Sequence, residues 1–128
     1  MTDPHLQECP ESPNCVSTQT QQESKKMDPI PFELDPDEVR KVIKSVVESL
    51  PNTNLQKESD SHLHYIFKSK IFGFIDDVEF LIDAGQKLIH FRSASRTGYS
   101  DLGVNKKRMT ALQEAIKKEM KRRSASSF

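Results

Sequence analysis

The chain has 128 residues, of which 34% are hydrophobic, and its 19 basic side chains balance 19 acidic ones. This length suits a single domain, and a net charge of zero provides no overall field that attracts nucleic acid or an anionic membrane. No apolar run approaches the roughly 20 residues of a membrane-spanning helix, and the first residues lack a signal-peptide pattern. We therefore expect a cytoplasmic monomer that neither inserts into membranes nor binds nucleic acid, provided that no upstream targeting segment has been removed.

Residues 1–28 form a polar segment that we predict to be a mostly mobile N-terminal arm. Rich in Gln, Ser, Thr and Lys, it cannot bury enough apolar surface to fold alone. Its Cys-Pro-x-Ser-Pro-Asn-Cys part can still dock on the domain. The two cysteines, Cys9 and Cys15, have neither zinc-ribbon nor Cys-x-x-Cys spacing. We expect a reducing cytosol to keep them as thiols, and the alternatives are a structural or solvent-exposed thiol pair, a redox pair and a metal-binding pair.

The first predicted helix has clear boundaries. Asp35 is its N-cap, Pro36 occupies the first helical position, and Glu38 completes the spacing of a capping box. Pro51 ends the helix. Between these limits the apolar residues recur with helical spacing, at Val39, Val42, Ile43, Val46, Val47 and Leu50.

Three segments that follow alternate apolar and polar residues with the period of a half-buried strand. These strands are predicted at residues 62–68, 77–83 and 89–92, with a weaker candidate at residues 53–58. The connection at residues 71–75 is unusually apolar. We expect it to tuck under a helix, and the alternative is an exposed patch for a partner.

The connection between the last two strands determines which side chains face each other. We predict a two-residue hairpin loop at residues 84–85. This register places Glu79 opposite His90 and Asp77 opposite Arg92 on the polar face of the sheet. Complementary charges on neighbouring strands support it.

Histidines and a glutamate on this polar face form a possible transition-metal site. The candidate ligands are His62, His64, Glu79 and His90. A solvated sheet face with incidental histidines explains the same pattern, and we expect neither a metal nor a cofactor.

The last helix is predicted over residues 104–121, and the basic side chains at its end complement the helix dipole. The order of helix, strands and helix predicts an α+β fold. We expect a two-layer sandwich in which an antiparallel meander of three to four strands carries both helices on one face. This single domain spans residues 29–123 and is followed by a tail at residues 124–128.

The run from Ser93 to Arg108 joins a strand pattern to an amphipathic helix pattern, and we call it the closing motif. Its glycines, Gly98 and Gly103, permit positive φ and close backbone approach. Such a junction presents backbone N–H groups and guanidinium groups to an anion or to a partner's carboxylate. The candidate binding residues are therefore Arg92, Ser93, Ser95, Arg96, Gly98, Asp101, Gly103, Asn105 and Arg108.

The closing motif also has a purely structural interpretation. Asp101 can tie down Arg96 or Arg108 and lock the loop to the sheet. Either Asp101 or Asn105 can cap the last helix. The residues alone do not decide between a lock and a binding site.

Four motifs in order resemble one family. They are the CPESPNCVS opening at Cys9–Ser17, the PIPF step at Pro29–Phe32, the DDVEF strand at Asp76–Phe80 and the closing motif at Ser93–Arg108. Over roughly residues 9–120 the chain resembles domain of unknown function 1499. The resemblance implies no particular activity, and it identifies the closing motif as the hallmark of the family.

We expect a non-catalytic binding or assembly-assisting module that recognises a small anionic ligand or a partner protein through the closing motif. The sequence lacks a set of nucleophile, base and orienting group. One alternative is a small enzyme for an anionic substrate, with acid–base chemistry from His90, Glu79 and Asp77. Another is a redox module in which oxidation of Cys9 and Cys15 docks or frees the arm.

Overall fold

In the computed structural model, which describes residues 5–69, 73–96 and 103–125, a six-stranded antiparallel sheet accompanies two α-helices. In chain order the elements are β1 (Cys15–Ser17), β2 (Ile30–Pro31), α1 (Pro36–Glu48), β3 (Thr53–Glu58), β4 (His62–Lys68), β5 (Ile75–Asp83), β6 (Leu88–Ser95) and α2 (Val104–Ala125). The strand order is β1-β6-β5-β4-β3, and β2 also pairs with β6. The predicted α+β class is confirmed, whereas the predicted three to four strands are too few.

Helix α1 begins where the sequence predicts. The side chain of Asp35 accepts a hydrogen bond of 2.9 Å from the backbone N–H of Asp37, and Pro36 is the first helical residue. The capping box is wrong, because the carboxylate of Glu38 accepts instead from Arg123 of α2 at 3.2 Å. Glu38 therefore ties the two helices together.

One hydrophobic core unites the buried residues of both helices with alternate residues of the strands. Its largest fully buried side chains include Tyr65, Phe80, Phe91, Ile30, Ile43, Leu63, Ile89, Met109 and Ile116. We call the side of the sheet that joins this core the core face and the opposite side the outer face.

Tyr65 is the one phenol in this core within the described residues, and its hydroxyl has a partner. It donates to Glu48 Oε2 at 2.7 Å, while its ring meets Phe80 edge to face at 6.5 Å. Burial, followed by the hydrogen bond to Glu48, raises the pKa of Tyr65. This contact joins the end of α1 to β4.

The register of the β5–β6 hairpin differs by two residues from the prediction. Glu79 lies opposite Arg92 rather than His90, and Asp77 lies opposite Ala94 rather than Arg92. Because side chains alternate with a period of two, a shift of two leaves every side chain on its predicted face. The predicted faces are confirmed and the predicted cross-strand pairs are wrong.

The turn explains this shift, because four residues, 84–87, connect the strands instead of two. Asp83 Oδ1 accepts a hydrogen bond of 3.0 Å from the N–H of Gln86. Lys87 adopts a φ of 57°, in the left-handed region. The predicted Ala-Gly loop at residues 84–85 is therefore wrong.

The exposed strand β3 contains a bulge. Its register with β4 shifts between Leu55 and Lys57, so one residue of β3 is left out of the pairing. Ion pairs with α1 hold the far end of the strand, where Glu58 accepts from Lys44 at 2.8 Å and also from Arg40.

The described part of the N-terminal segment belongs to the folded structure, in contrast to the predicted arm outside the domain. Strand β1 lies along β6, and the backbone N–H of Thr18 donates to Phe91 at 3.0 Å. Leu6 is buried although its surroundings in the sequence are polar. Residues 5–14, which we call the strap, run along the outer face beside β1.

Cys9 and Cys15 form a disulfide bond with a Cα–Cα distance of 5.8 Å. Both are buried in a small second cluster with Ala94 of β6. The expectation of thiols is therefore wrong, and the bond fastens the strap to β1.

Phe74, in the apolar connection before β5, is 55% exposed, so the expectation that this connection tucks under a helix is wrong at this residue. Residues 70–72 of this connection lie outside the described residues. Among the described residues, neither helix combines the length and the apolar character needed to cross a bilayer.

Replacing both Cys9 and Cys15 by Ser should lower the free energy of unfolding by about 2 kcal/mol, because a short closed loop no longer restricts the unfolded chain. Urea denaturation measures this loss. Reductant should destabilise the wild-type protein to the same extent and leave the double variant unchanged. A wild-type protein that is insensitive to reductant would contradict the prediction.

Candidate functional site

Two histidines on the outer face are bound to carboxylates of the neighbouring strand. His62 Nε2 lies 2.9 Å from Glu79 Oε1, and His64 Nε2 lies 2.8 Å from Asp77 Oδ1. In each case the histidine of β4 reaches a carboxylate on β5 that is two residues away from its register partner. The outer face therefore carries two separate histidine–carboxylate pairs.

Arg96, at the end of β6, closes the second of these pairs. Its Nε and Nη2 atoms donate to the two carboxylate oxygens of Asp77, at 2.8 Å and 3.0 Å. The hydrogen bonds from Arg96, and next those from His64, lower the pKa of the Asp77 carboxyl group. The charge of Arg96 is thus neutralised within the protein.

His90 is isolated from both pairs. Its Nδ1 atom lies 2.9 Å from Thr18 Oγ1, on the segment that follows β1. Burial lowers the pKa of His90 and His5 lowers it further, whereas Asp83 opposes the shift. His90 is therefore neutral at neutral pH.

The four metal-ligand candidates do not converge. His62 and Glu79 pair with each other, His64 pairs with Asp77, and His90 contacts Thr18. In the described ranges, 5–69, 73–96 and 103–125, no group of three or more His, Cys, Asp or Glu side chains is arranged to hold a metal ion.

A buried polar network on the core face contains four further residues of the closing motif, namely Ser93, Ser95, Asn105 and Arg108. Its centre is Asn105, which is fully buried near the start of α2. The Asn105 side-chain oxygen accepts from Ser93 Oγ at 2.5 Å and from Arg108 Nη1 at 2.9 Å. Its amide nitrogen donates to Ser95 Oγ at 3.1 Å and to the backbone carbonyl of Asn14 at 3.3 Å. One side chain thereby connects α2, β6 and the end of the strap.

Arg108 extends this network to β5. Its Nη2 donates to Asp76 Oδ2 at 2.7 Å, and its guanidinium lies 5.0 Å from the centre of the Phe67 ring. Asp76 is buried, so this pair is shielded from solvent. The closing motif is a structural lock at this point, and the carboxylate that holds it is Asp76.

The lock predicted through Asp101 and the role predicted for Gly98 concern residues outside the described ones. Gly103 has the positive φ predicted for it, 79°, which a residue without a side chain adopts readily. Helix α2 begins directly after it. Asn105 does not serve as the helix cap, because it is the second residue of α2 and its side chain belongs to the buried network.

Arg92 is the exception among the arginines of the closing motif and its flank. It lies on the outer face and is 8% exposed. Its Nη2 donates one long hydrogen bond of 3.5 Å to the backbone carbonyl of Glu8, and its Nε has no hydrogen-bond partner among the described residues. It forms no ion pair with a carboxylate in the described part of the chain. A buried guanidinium that always carries its charge is costly without an anionic partner.

The structure thus separates the predicted site residues onto two faces. Ser93, Ser95, Asn105 and Arg108 meet on the core face, whereas Arg92 and Arg96 lie on the outer face. The sequence reasoning missed the contribution of Glu8 and Thr18. The cysteine-containing opening motif was the only signal that this segment packs on the sheet.

The sequence profile of the DUF1499 family, described as a protein of unknown function, matches residues 5–116. The chain belongs to the DUF1499 family. Among curated proteins, none matches the chain. The matched region includes the strap, the outer face and most of α2. The family match therefore includes the candidate residues on both faces of the sheet and assigns no function to them.

Replacing Arg108 by Ala should lower the free energy of unfolding by about 2–4 kcal/mol, because it leaves the buried Asp76 carboxylate unpaired. Arg96→Ala is the matched control, since it removes the same side chain from the neighbouring Asp77. Its cost should be clearly smaller, because Arg96 is exposed and its pair is screened by water. Urea denaturation compares them, and equal losses would contradict the assignment of Arg108 as the lock.

Acidification should destabilise the protein through His90. Because burial lowers its pKa below 6.5, the unfolded chain takes up this proton more readily than the folded protein. The contribution of His90 is therefore complete above about pH 6.5 and is lost as the pH falls below that value. In His90→Asn, which keeps a polar atom near Thr18, the stability should depend less on pH in this range. Identical pH profiles of the two proteins would refute the assignment.

Proposed function

We propose that this domain is a non-catalytic binding module that recognises the carboxylate or phosphate group of a small ligand or a partner protein at Arg92. The observation that carries the proposal is a buried guanidinium whose Nε has no partner, and to which no carboxylate is bound, among the residues that the structure describes. Arginine is well suited to this task because its planar donor groups bind carboxylates and phosphates bidentately.

Arg40 shows what distinguishes Arg92. Its Nε also lacks a hydrogen-bond partner, but its charge is balanced by Asp37 and Glu58. Within residues 5–69, 73–96 and 103–125, no carboxylate balances the charge of Arg92 in this way. Arg96 and Arg108 are similarly satisfied by Asp77 and Asp76. A ligand at either of them would have to displace an internal carboxylate. The proposed site therefore narrows from the nine candidate residues to Arg92, which directly precedes the closing motif.

The surroundings of Arg92 support an external anion. Glu79, which lies opposite Arg92 on β5, directs its carboxylate to His62 on the next strand. On the other side, the register partner of Arg92 is the neutral Ser17. The strap passes beside the guanidinium, where the Glu8 carbonyl accepts its long hydrogen bond. The positive charge of Arg92 can therefore be balanced by one external anionic group.

Two features of the protein as a whole accompany this proposal. The shared core of α1, α2 and the sheet supports the two-layer sandwich with both helices on one face. The disulfide bond favours an oxidising compartment over the cytoplasm predicted from the sequence, because such bonds persist where thiols are not kept reduced.

The proposal is tested by following the arginine Nε–H resonances of the full chain by NMR during titration with sodium phosphate and with sodium acetate. The Arg92 resonance should shift and reach saturation with at least one of these anions. The resonances of Arg40 and Arg96 should not, since both side chains are already paired. Sodium chloride at matched ionic strength is the salt control.

Variants separate the site from a general charge effect. Arg92→Gln should abolish the saturable response, which is then followed through the backbone resonances of β6. Arg40→Gln removes the same charge elsewhere and should leave the response intact. The proposal would be overturned if neither phosphate nor acetate gave a saturable response. It would also be overturned if the response were lost in both the Arg92→Gln and the Arg40→Gln variants.

A further inference from the structure

The net charge of zero conceals a strong asymmetry. Helix α2 carries eight basic and two acidic side chains, a net charge of +6, so the other 106 residues together carry −6. The molecule therefore has a positive helix and a negative remainder. Charge distribution, rather than net charge, determines how a protein meets a charged surface.

The arginines and lysines of α2 have different roles. Arg108 pairs with Asp76, while Arg122 and Arg123 both pair with Glu119. The lysines are exposed and form no ion pair with any described residue. We call these five side chains the lysine strip: Lys106, Lys107, Lys117, Lys118 and Lys121.

Helical spacing places the lysine strip on one side of α2. The opposite side is anchored in the core by Met109, Leu112, Ile116 and Met120. From Lys106 to Lys121 the strip extends for about 22 Å along the helix axis. Glu114 is the one acidic side chain of α2 on the same side of the helix as these lysines. The strip thus consists of two groups of exposed lysines, at positions 106–107 and 117–121, on one side of a helix whose other side is fixed in the core.

From this arrangement we propose that the lysine strip binds the surface of an anionic membrane without inserting into it. Because the five lysines lie on one side of a single helix, their long side chains can contact one plane at the same time. Each lysine near an anionic bilayer contributes an attraction that adds to those of its neighbours. The apolar side of α2 stays in the core, so the attachment is purely electrostatic and reversible.

Nucleic acid is the less suitable polyanion for this surface. The strip contains no aromatic side chain on which a base could stack and no arginine for bidentate contacts with base edges. In addition, a duplex that engages a helix in its groove approaches the flanking surfaces, and the rest of this protein is negatively charged.

The test is cosedimentation of the full chain with phosphatidylcholine vesicles that contain or lack phosphatidylserine, at low and high salt. We expect binding only to the anionic vesicles and only at low salt. The variant K117Q/K118Q/K121Q should bind about a hundredfold more weakly. The matched control K26Q/K57Q/K68Q removes three exposed lysines from other surfaces and should bind nearly as the wild-type protein does.

Each result supports or overturns the proposal. Equal weakening in both triple variants would mean that only net charge matters. Tighter binding to single-stranded or duplex DNA than to the anionic vesicles, at equal salt, would assign the strip to nucleic acid. No binding to anionic vesicles at low salt would also overturn it. The altered lysines are exposed, so thermal unfolding should confirm that both variants keep the wild-type stability.

Discussion

The structure depends most on the buried amide of Asn105. Its oxygen and nitrogen hold the first turn of α2, two serines of β6 and the carbonyl of Asn14 at the base of the strap. A buried amide stabilises only when all of its neighbours are in place, since an unmatched polar atom in the core is costly. Asn105 therefore specifies how three separate segments meet, which apolar contacts alone would leave less defined.

Two consecutive aspartates of β5 fix the closing motif to both faces of the sheet. Asp76 and Asp77 are neighbours on β5, so their side chains project to opposite faces. Asp76 takes Arg108 on the core face, and Asp77 takes Arg96 on the outer face. Two arginines of the closing motif, Arg96 and Arg108, are thus fastened to opposite sides of one strand. Arg92 directly precedes the closing motif and pairs with neither Asp76 nor Asp77. It therefore differs from Arg96 and Arg108, whose charges these two carboxylates balance.

The parts of the fold that were predictable are those governed by periodicity and by the helix-capping residues. Alternation placed the residues of β4, β5 and β6 on the correct faces, and Asp35 with Pro36 located the start of α1. Periodicity cannot detect a register shift of two, because it leaves the faces unchanged. Nor can it detect β1, which has three residues in a polar segment and exists because β6 and the disulfide hold it. For the same reason, the pairing of Arg96 and Arg108 with β5 depends on long-range contacts and was not evident from the closing motif.

The bulge in β3 has a consequence for self-association. An open sheet invites a second copy to add a strand along an unpaired edge. Here the outermost strand is interrupted between Leu55 and Lys57, and a bulge twists the backbone away from a regular ladder. At the opposite end, β6 is shared by the two short strands β1 and β2. Neither border therefore offers a long, flat template, which guards the folded chain against edge-to-edge aggregation.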